Sequence, residues 1–83
     1  VQETGEPGGG VVVPHALLRE LPAAVRTRIL RALALRAGAR AGELTAGHIE
    51  ALDALVTGPG GVRHCDLPGA RALRRDNIVV FAR

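Results

Sequence analysis

Arginine is the residue type in this chain whose number and spacing could do chemistry. All 11 basic residues of the 83-residue sequence are Arg, and the net charge is +3. A planar guanidinium group can bind two oxygens of one phosphate at once, so clusters of Arg suit polyanionic partners. The candidate binding set is divided between a predicted helix and predicted strands, and comprises Arg26, Arg28, Arg31, Arg36, Arg63, Arg71, Arg74 and Arg75.

The charge is distributed unevenly along the chain. Residues 19–40 carry +5 and residues 57–83 carry +3, while residues 41–56 between them carry −3. Two basic blocks could present one surface to a polyanion, although a solvated Arg-rich face would have the same composition. The single aromatic residue, Phe81, leaves little for base stacking. Any nucleic acid should therefore be bound through its duplex backbone and shape.

The other reactive residue types do not form a catalytic or metal-binding pattern. The sequence lacks Ser, so a Ser–His–Asp arrangement is excluded. Cys65 follows His64, but neighbouring residues of a strand point to opposite faces and cannot pair as nucleophile and base. The three His are not spaced like metal ligands. We therefore expect no catalytic residue and no metal site in this chain.

Cysteine content and hydropathy bear on the compartment. A single Cys excludes an internal disulfide and fits a reducing, cytoplasmic environment. No apolar run reaches the 18 residues of a membrane-spanning helix. The chain begins with Val1 and contains no Met, which indicates a fragment of a longer polypeptide.

The longest periodic segment predicts a helix that begins near Pro22 and ends before Gly38. Proline is favoured in the first turn, and glycine can adopt the left-handed conformation that ends a helix. At about 100° per residue, Arg28 and Arg31 lie opposite the apolar face and Arg26 lies on its flank. The predicted core stripe of this helix consists of Leu21, Val25, Ile29, Ala32 and Leu33.

The remaining patterns predict an α+β fold. Residues 1–10 have the composition of a disordered linker, and residues 11–83 form one small domain. It begins with a strand at residues 11–13 and a short helical turn at 15–20. Thr45 is a suitable N-cap for a second main helix over residues 46–56, in which His48 is expected to be hydrogen-bonded near the core. The last predicted element is a three-stranded antiparallel β-meander at residues 62–67, 70–75 and 78–81.

Four segments together resemble a known enzyme family. Residues 21–31, LPAAVRTRILR, resemble the "LP.avRrRvlR" helix of tRNA(Ile)-lysidine synthases, in the domain that follows their catalytic half. Residues 44–52 resemble that family's "LT..Hi.al" helix, and residues 66–69, DLPG, resemble its "v.LPGg" turn. Residues 71–81 resemble its closing strands. The segments occur in the family's order over about residues 11–82.

The resemblance implies a small α+β substrate-binding domain whose Arg-rich surface contacts tRNA. The family joins lysine to the wobble cytidine of the isoleucine tRNA with a CAU anticodon, in an ATP-dependent reaction. ATP and Mg²⁺ are thus expected for the full-length enzyme, whose catalytic SGG.DS loop has no counterpart in this chain. The implied partners are tRNA and the catalytic domain of the same polypeptide, with a homodimer as a further possibility. Two alternatives stay open: a structural interdomain or dimerisation module, and a helix-turn-helix DNA binder.

Overall fold

The computed structural model of the chain describes residues 2–3, 10–59 and 61–83. Within them, the helices are α1 (His15–Arg19), α2 (Ala23–Arg36) and α3 (Ala46–Thr57), with a 3-10 turn at Ala41–Glu43. The strands are β1 (Gln2–Glu3), β2 (Gly10–Pro14), β3 (Val62–Leu67), β4 (Ala70–Arg75) and β5 (Ile78–Ala82). The predicted helices and the three strands of the meander are confirmed to within two residues at each end.

The strands form one antiparallel sheet in the order β1-β2-β5-β4-β3. The predicted α+β class and three-stranded meander are confirmed, and the meander forms part of this larger sheet. Strand β2 pairs with β5, placing Val11 opposite Phe81 and Val13 opposite Val79. This pairing joins the two ends of the chain, so no local turn signal could reveal it. Some residues of the predicted linker, residues 1–10, belong to strands. Gln2–Glu3 pairs with β2, and Gly10 is the first residue of β2. The other residues of that segment lie outside the described residues.

The core lies between the inner face of the sheet and the three helices. Alternate residues of the strands point inward, which is why Val11, Val13, Val79 and Phe81 are all at most 2% exposed. From the helices, the most deeply buried large side chains are Leu18, Leu30, Leu52 and Val56. Because the only aromatic residue fills the centre of this core, its ring is not available to a partner.

Helix α2 packs on a face that differs from the predicted one. Leu33 is buried as expected, but Val25 is 41% exposed and Ala32 faces solvent. The helix instead buries Arg26, Leu30, Leu33 and Ala34. The predicted apolar stripe is therefore rotated by about one residue. The physical reason is that Ala and Leu occur on every side of this helix, so the contacts of Leu30 and Arg26 decide which side is buried.

The turn between β3 and β4 packs against the end of α2. Gly69 has a φ of 88°, as the second central residue of a type II turn requires. A Cβ atom at this position would lie 2.7 Å from the carbonyl oxygen of Gly38. The N–H of Arg40 donates to the carbonyl of Pro68 at 2.8 Å. The predicted Pro68-Gly69 turn thus also anchors the loop that follows α2.

Candidate nucleic-acid interface

The eight candidate arginines separate into two buried and six exposed side chains. Arg26 is 8% exposed and Arg74 is 4% exposed, whereas the other six lie at the surface. Sequence periodicity placed Arg26 on the flank of its helix but kept it in the candidate binding set with Arg28 and Arg31. The structure therefore assigns the two buried residues to the interior before any partner is considered.

Arg26 joins α2 to α3. Its Nε donates to Oδ1 of Asp53 at 2.5 Å, and its Nη1 donates to the carbonyl of Leu21 at 2.8 Å. The hydrogen bond to Asp53 raises the pKa of the Arg26 guanidinium, and the negative charge of Asp53 acts in the same direction against the opposing effect of burial. Arg26 thus holds two helices together. Sequence analysis missed this pair, although Asp53 lies next to Ile49 at the edge of the apolar arc of α3, where a part-buried acid needs a partner.

Arg74 closes the C-terminal end of α3. Its Nη1 donates to the carbonyls of Leu55 at 3.0 Å and Gly58 at 2.8 Å, and also approaches those of Val56 and Pro59. The last carbonyls of a helix lack partners within the helix, and a cation is favoured there. His15 contributes to the same end, because its Nε2 lies 2.5 Å from the carbonyl oxygen of Val56. Arg74 therefore acts as a buried cap, and only Arg75 of this adjacent pair faces solvent.

Arg28 and Arg31 lie beside a groove between α2 and α3. The groove encloses about 360 Å³, and Ile49 provides apolar surface within it. Nη1 of Arg31 donates to the carbonyl of Leu44 at 3.4 Å, which ties this side chain to the loop before α3. Arg36 is exposed farther along α2. The groove is lined by Thr27, Arg28, Arg31, Ala46, Ile49 and Glu50.

The exposed arginines of the strands lie elsewhere. Arg71 and Arg75 are on the face of the sheet opposite the helices, since Ala70, Ala72 and Arg74 of the same strand point inward. Nε of Arg71 lies 3.3 Å from Oδ1 of Asp66, with both side chains about two-thirds exposed. Arg63 lies opposite Arg74 on the helix side of β3. Of the second basic block, Arg71 and Arg75 therefore lie on the opposite face of the sheet from the helices, whereas Arg63 lies on the helix side.

His48 and Cys65 are surrounded by other residues of the same domain. His48 completes the N-terminal cap of α3: its Nδ1 accepts from the N–H of Thr45 at 3.0 Å, and its own N–H donates to the Thr45 hydroxyl at 3.3 Å. This confirms Thr45 as N-cap and His48 as a hydrogen-bonded residue. Burial raises the pKa of the Cys65 thiol, and the charge of Asp66 raises it further. Among the described residues, no group of three or more His, Cys, Asp and Glu could hold a metal ion.

Hydropathy along the helices gives a separate result. Within the described part of the chain, no helix is both long enough and apolar enough to span a membrane.

Comparison with known proteins identifies the family. The family model described as the TilS substrate binding domain matches residues 14–79. A tRNA(Ile)-lysidine synthase from Thermobifida fusca is 55% identical over 76 residues, which cover 89% of this chain and 24% of that protein. Enzymes of the same name from Streptomyces coelicolor and Salinispora arenicola are 53% and 46% identical over 60 and 70 residues. The chain thus spans about a quarter or less of the length of these relatives. No solved structure matches the chain.

Proposed function

Because this chain belongs to the TilS substrate binding domain family, we propose that it binds tRNA through the surface formed by Arg28 and Arg31. In this proposal the chain is the substrate-binding part of an ATP-dependent ligase that attaches lysine to the wobble cytidine of the isoleucine tRNA with a CAU anticodon. The proposal assigns ATP and Mg²⁺ to a catalytic domain of the same polypeptide, because the chain covers only 24% of the length of its Thermobifida fusca relative.

The observation that carries the proposal is the position of Arg28 and Arg31 on one exposed side of α2. They are three residues apart, so their side chains are neighbours about one helical turn apart along the surface. Both lie at the groove between α2 and α3. Two guanidinium groups at this spacing can contact phosphates of one strand, while the structure assigns Arg26 and Arg74 to intramolecular contacts.

Glu50 is the acidic residue that borders the same groove. Its carboxylate would repel a phosphate placed directly above it, so the strand should follow the α2 side of the groove. This arrangement favours contacts through the RNA backbone, because the buried ring of Phe81 cannot stack on a base.

The helix-turn-helix alternative fits the geometry poorly. That motif joins its helices by a turn of about three or four residues, whereas residues 37–45, including a 3-10 turn, separate α2 from α3. The second helix would be the recognition helix, yet its charged residues are Glu50 and Asp53. Asp53 is already bound to Arg26. A structural interdomain module without nucleic-acid contacts remains the alternative that the binding experiment must distinguish.

The test is the salt dependence of tRNA binding by the chain and by Arg28→Ala/Arg31→Ala. Each phosphate contact releases counterions, so the slope of log K against log salt reports the number of contacts. Loss of two contacts should reduce the magnitude of this slope by about 1.5, from a parent affinity of about 10⁻⁴–10⁻⁶ M. Fluorescence anisotropy with labelled tRNA at a series of salt concentrations measures both quantities.

The matched control is Arg71→Ala/Arg75→Ala. It removes the same charge from the opposite face of the sheet and should change the slope by less than half as much. Circular dichroism confirms that both variants fold. If the two variants have equal effects, binding depends on net charge and not on the α2 surface. If neither affects binding, the surface formed by Arg28 and Arg31 is not the binding site; if the parent chain does not bind tRNA, the structural-module alternative is correct.

A further inference from the structure

Glu50 is an acid without a partner at the edge of a basic groove. It is exposed on α3 and lines the groove between α2 and α3 together with Arg28 and Arg31. Within the described part of the chain, no hydrogen bond or ion pair holds its carboxylate, even though two cations border the same groove. Both oxygens of this carboxylate are therefore available to accept hydrogen bonds from a ligand.

The two walls of the groove differ in charge. The α2 wall carries Arg28 and Arg31, and the α3 wall carries Glu50. Ala46 and the half-buried Ile49 provide apolar surface on the α3 side. The groove encloses about 360 Å³, within the range of about 300–1,000 Å³ that small-molecule sites occupy. It can therefore hold one flat ring system between a cationic wall and an anionic one.

We propose that this groove binds one unpaired guanine base of an RNA strand, and that Glu50 selects this base. The proposal rests on the proposed function, in which Arg28 and Arg31 hold the phosphates of the strand. A strand that follows the α2 wall can turn one base across the groove, where Ile49 supports its face in place of an aromatic ring. Phosphate contacts fix the position of a strand, whereas a contact to the edge of a base distinguishes sequences.

The chemistry of a carboxylate favours guanine over the other three bases. An ionised carboxylate only accepts hydrogen bonds, and its two oxygens can accept two parallel ones. The Watson–Crick edge of guanine carries two adjacent donors, N1–H and the 2-amino group. Adenine and cytosine place an amino group beside an acceptor nitrogen, and uracil places its N–H between two carbonyls. Because those acceptors repel a carboxylate, only guanine can form two charge-assisted hydrogen bonds with Glu50.

The two arginines supply the part of the contact that does not depend on the base. Nη1 of Arg31 donates to the carbonyl of Leu44, and the other N–H groups of this guanidinium remain for a phosphate. Arg28 forms no hydrogen bond or ion pair with any described residue. Its planar group can bind a phosphate or stack on the base. Since neither contact reads the base edge, discrimination between bases should come from Glu50.

Fluorescence anisotropy with labelled RNA pentamers tests this inference. UUGUU and UUUUU carry the same charge and differ in one base, so phosphate contacts contribute equally to both. The chain should bind UUGUU about 5- to 150-fold more tightly than UUUUU, the range expected for one good bidentate contact to a base. UUIUU, whose inosine lacks the 2-amino group, should lose most of this preference.

Glu50→Gln tests the acid directly. It removes the charge and one acceptor oxygen with little change in shape, so UUGUU and UUUUU should bind with nearly equal affinity. The matched control is Glu20→Gln, which removes an exposed acid that does not line the groove. This control should keep the preference of the parent chain. Circular dichroism confirms that both variants fold.

The outcomes separate this inference from the proposed function. If the parent chain binds both pentamers equally and Arg28→Ala/Arg31→Ala weakens both, the inference is wrong and the proposed function stands. If Glu50→Gln keeps the preference for UUGUU, or if Glu20→Gln also abolishes it, Glu50 does not select the base and the inference is wrong. A chain that binds tRNA but neither pentamer overturns the inference alone. A chain that binds none of these RNAs overturns both.

Discussion

Replacing Leu30 by Ala tests which face of α2 the fold buries. Leu30 is 0% exposed, and Leu35 of the same helix is 36% exposed. The substitution Leu→Ala is chemically identical at both positions, so the difference in free energy of unfolding reflects burial alone. A buried Leu→Ala substitution costs about 2–5 kcal/mol, which includes the cavity that it leaves. At the exposed position, the expected cost is at most about 1 kcal/mol.

The expected loss is large compared with the stability of so small a domain. At about 0.05–0.15 kcal/mol per residue, 83 residues correspond to about 4–12 kcal/mol in total. A loss of about 3 kcal/mol should lower Tm by at least about 12 °C, since each kcal/mol is worth about 4–8 °C for a domain of this size. Leu30→Ala should therefore leave the chain only marginally folded at 37 °C.

Urea denaturation followed by circular dichroism provides the measurement, with the midpoint expected to fall while the slope m stays constant. Val25→Ala completes the set, because the predicted core stripe included Val25 and the structure exposes it. If Val25→Ala costs as much as Leu30→Ala, α2 packs on the face that periodicity predicted; if Leu35→Ala costs as much, the exposure described for Leu35 is wrong.

Two further predictions concern the caps and the thiol. Thr45→Ala removes the hydroxyl that accepts from the N–H of His48. It should lower the free energy of unfolding, measured by urea denaturation, by about 1 kcal/mol. If Thr57→Ala, at the other end of α3, lowers the free energy of unfolding as much, Thr45 is not acting as a cap. The pKa of Cys65 is raised in the folded chain, so its alkylation by iodoacetamide should reach half-maximal rate at a higher pH than in the chain unfolded in urea. Because the folded state holds the thiol proton more tightly, the free energy of unfolding should fall as pH rises above the pKa of the thiol in the unfolded chain. Cys65→Ala should not show this fall. Equal alkylation profiles in the folded and unfolded chains would refute this reasoning.

Local signals in the sequence were sufficient to predict the helices and strands, but not which of them contact each other. Thr45 before a helix and Pro68-Gly69 between strands act within a few residues of themselves, so both were correctly predicted. The pairing of Val11 with Phe81 depends on residues 70 positions apart, for which periodicity carries no information. The burial of Arg26 likewise depends on Asp53, on another helix. Predictions failed where a contact between distant elements decided the outcome.

The candidate interface shows even more clearly that sequence periodicity does not predict contacts between distant elements. An Arg count treats all 11 side chains alike, yet the structure uses Arg26 to join two helices and Arg74 to cap one. Both roles need burial together with acceptors from another element, and neither can be recognised from spacing along one helix or strand. What spacing did predict correctly is that Arg28 and Arg31 share an exposed side of α2.

The packing of α3 explains how the groove that contains Arg28 and Arg31 is held in place. Its buried face carries Leu52, Leu55 and Val56, which pack into the core. One of the remaining flanks borders the Arg28 and Arg31 groove, and the other borders the β3 edge. Arg74 and His15 hold the end of the same helix. Because α3 is held by the core and at its end, a tRNA bound at the groove of Arg28 and Arg31 need not displace this helix.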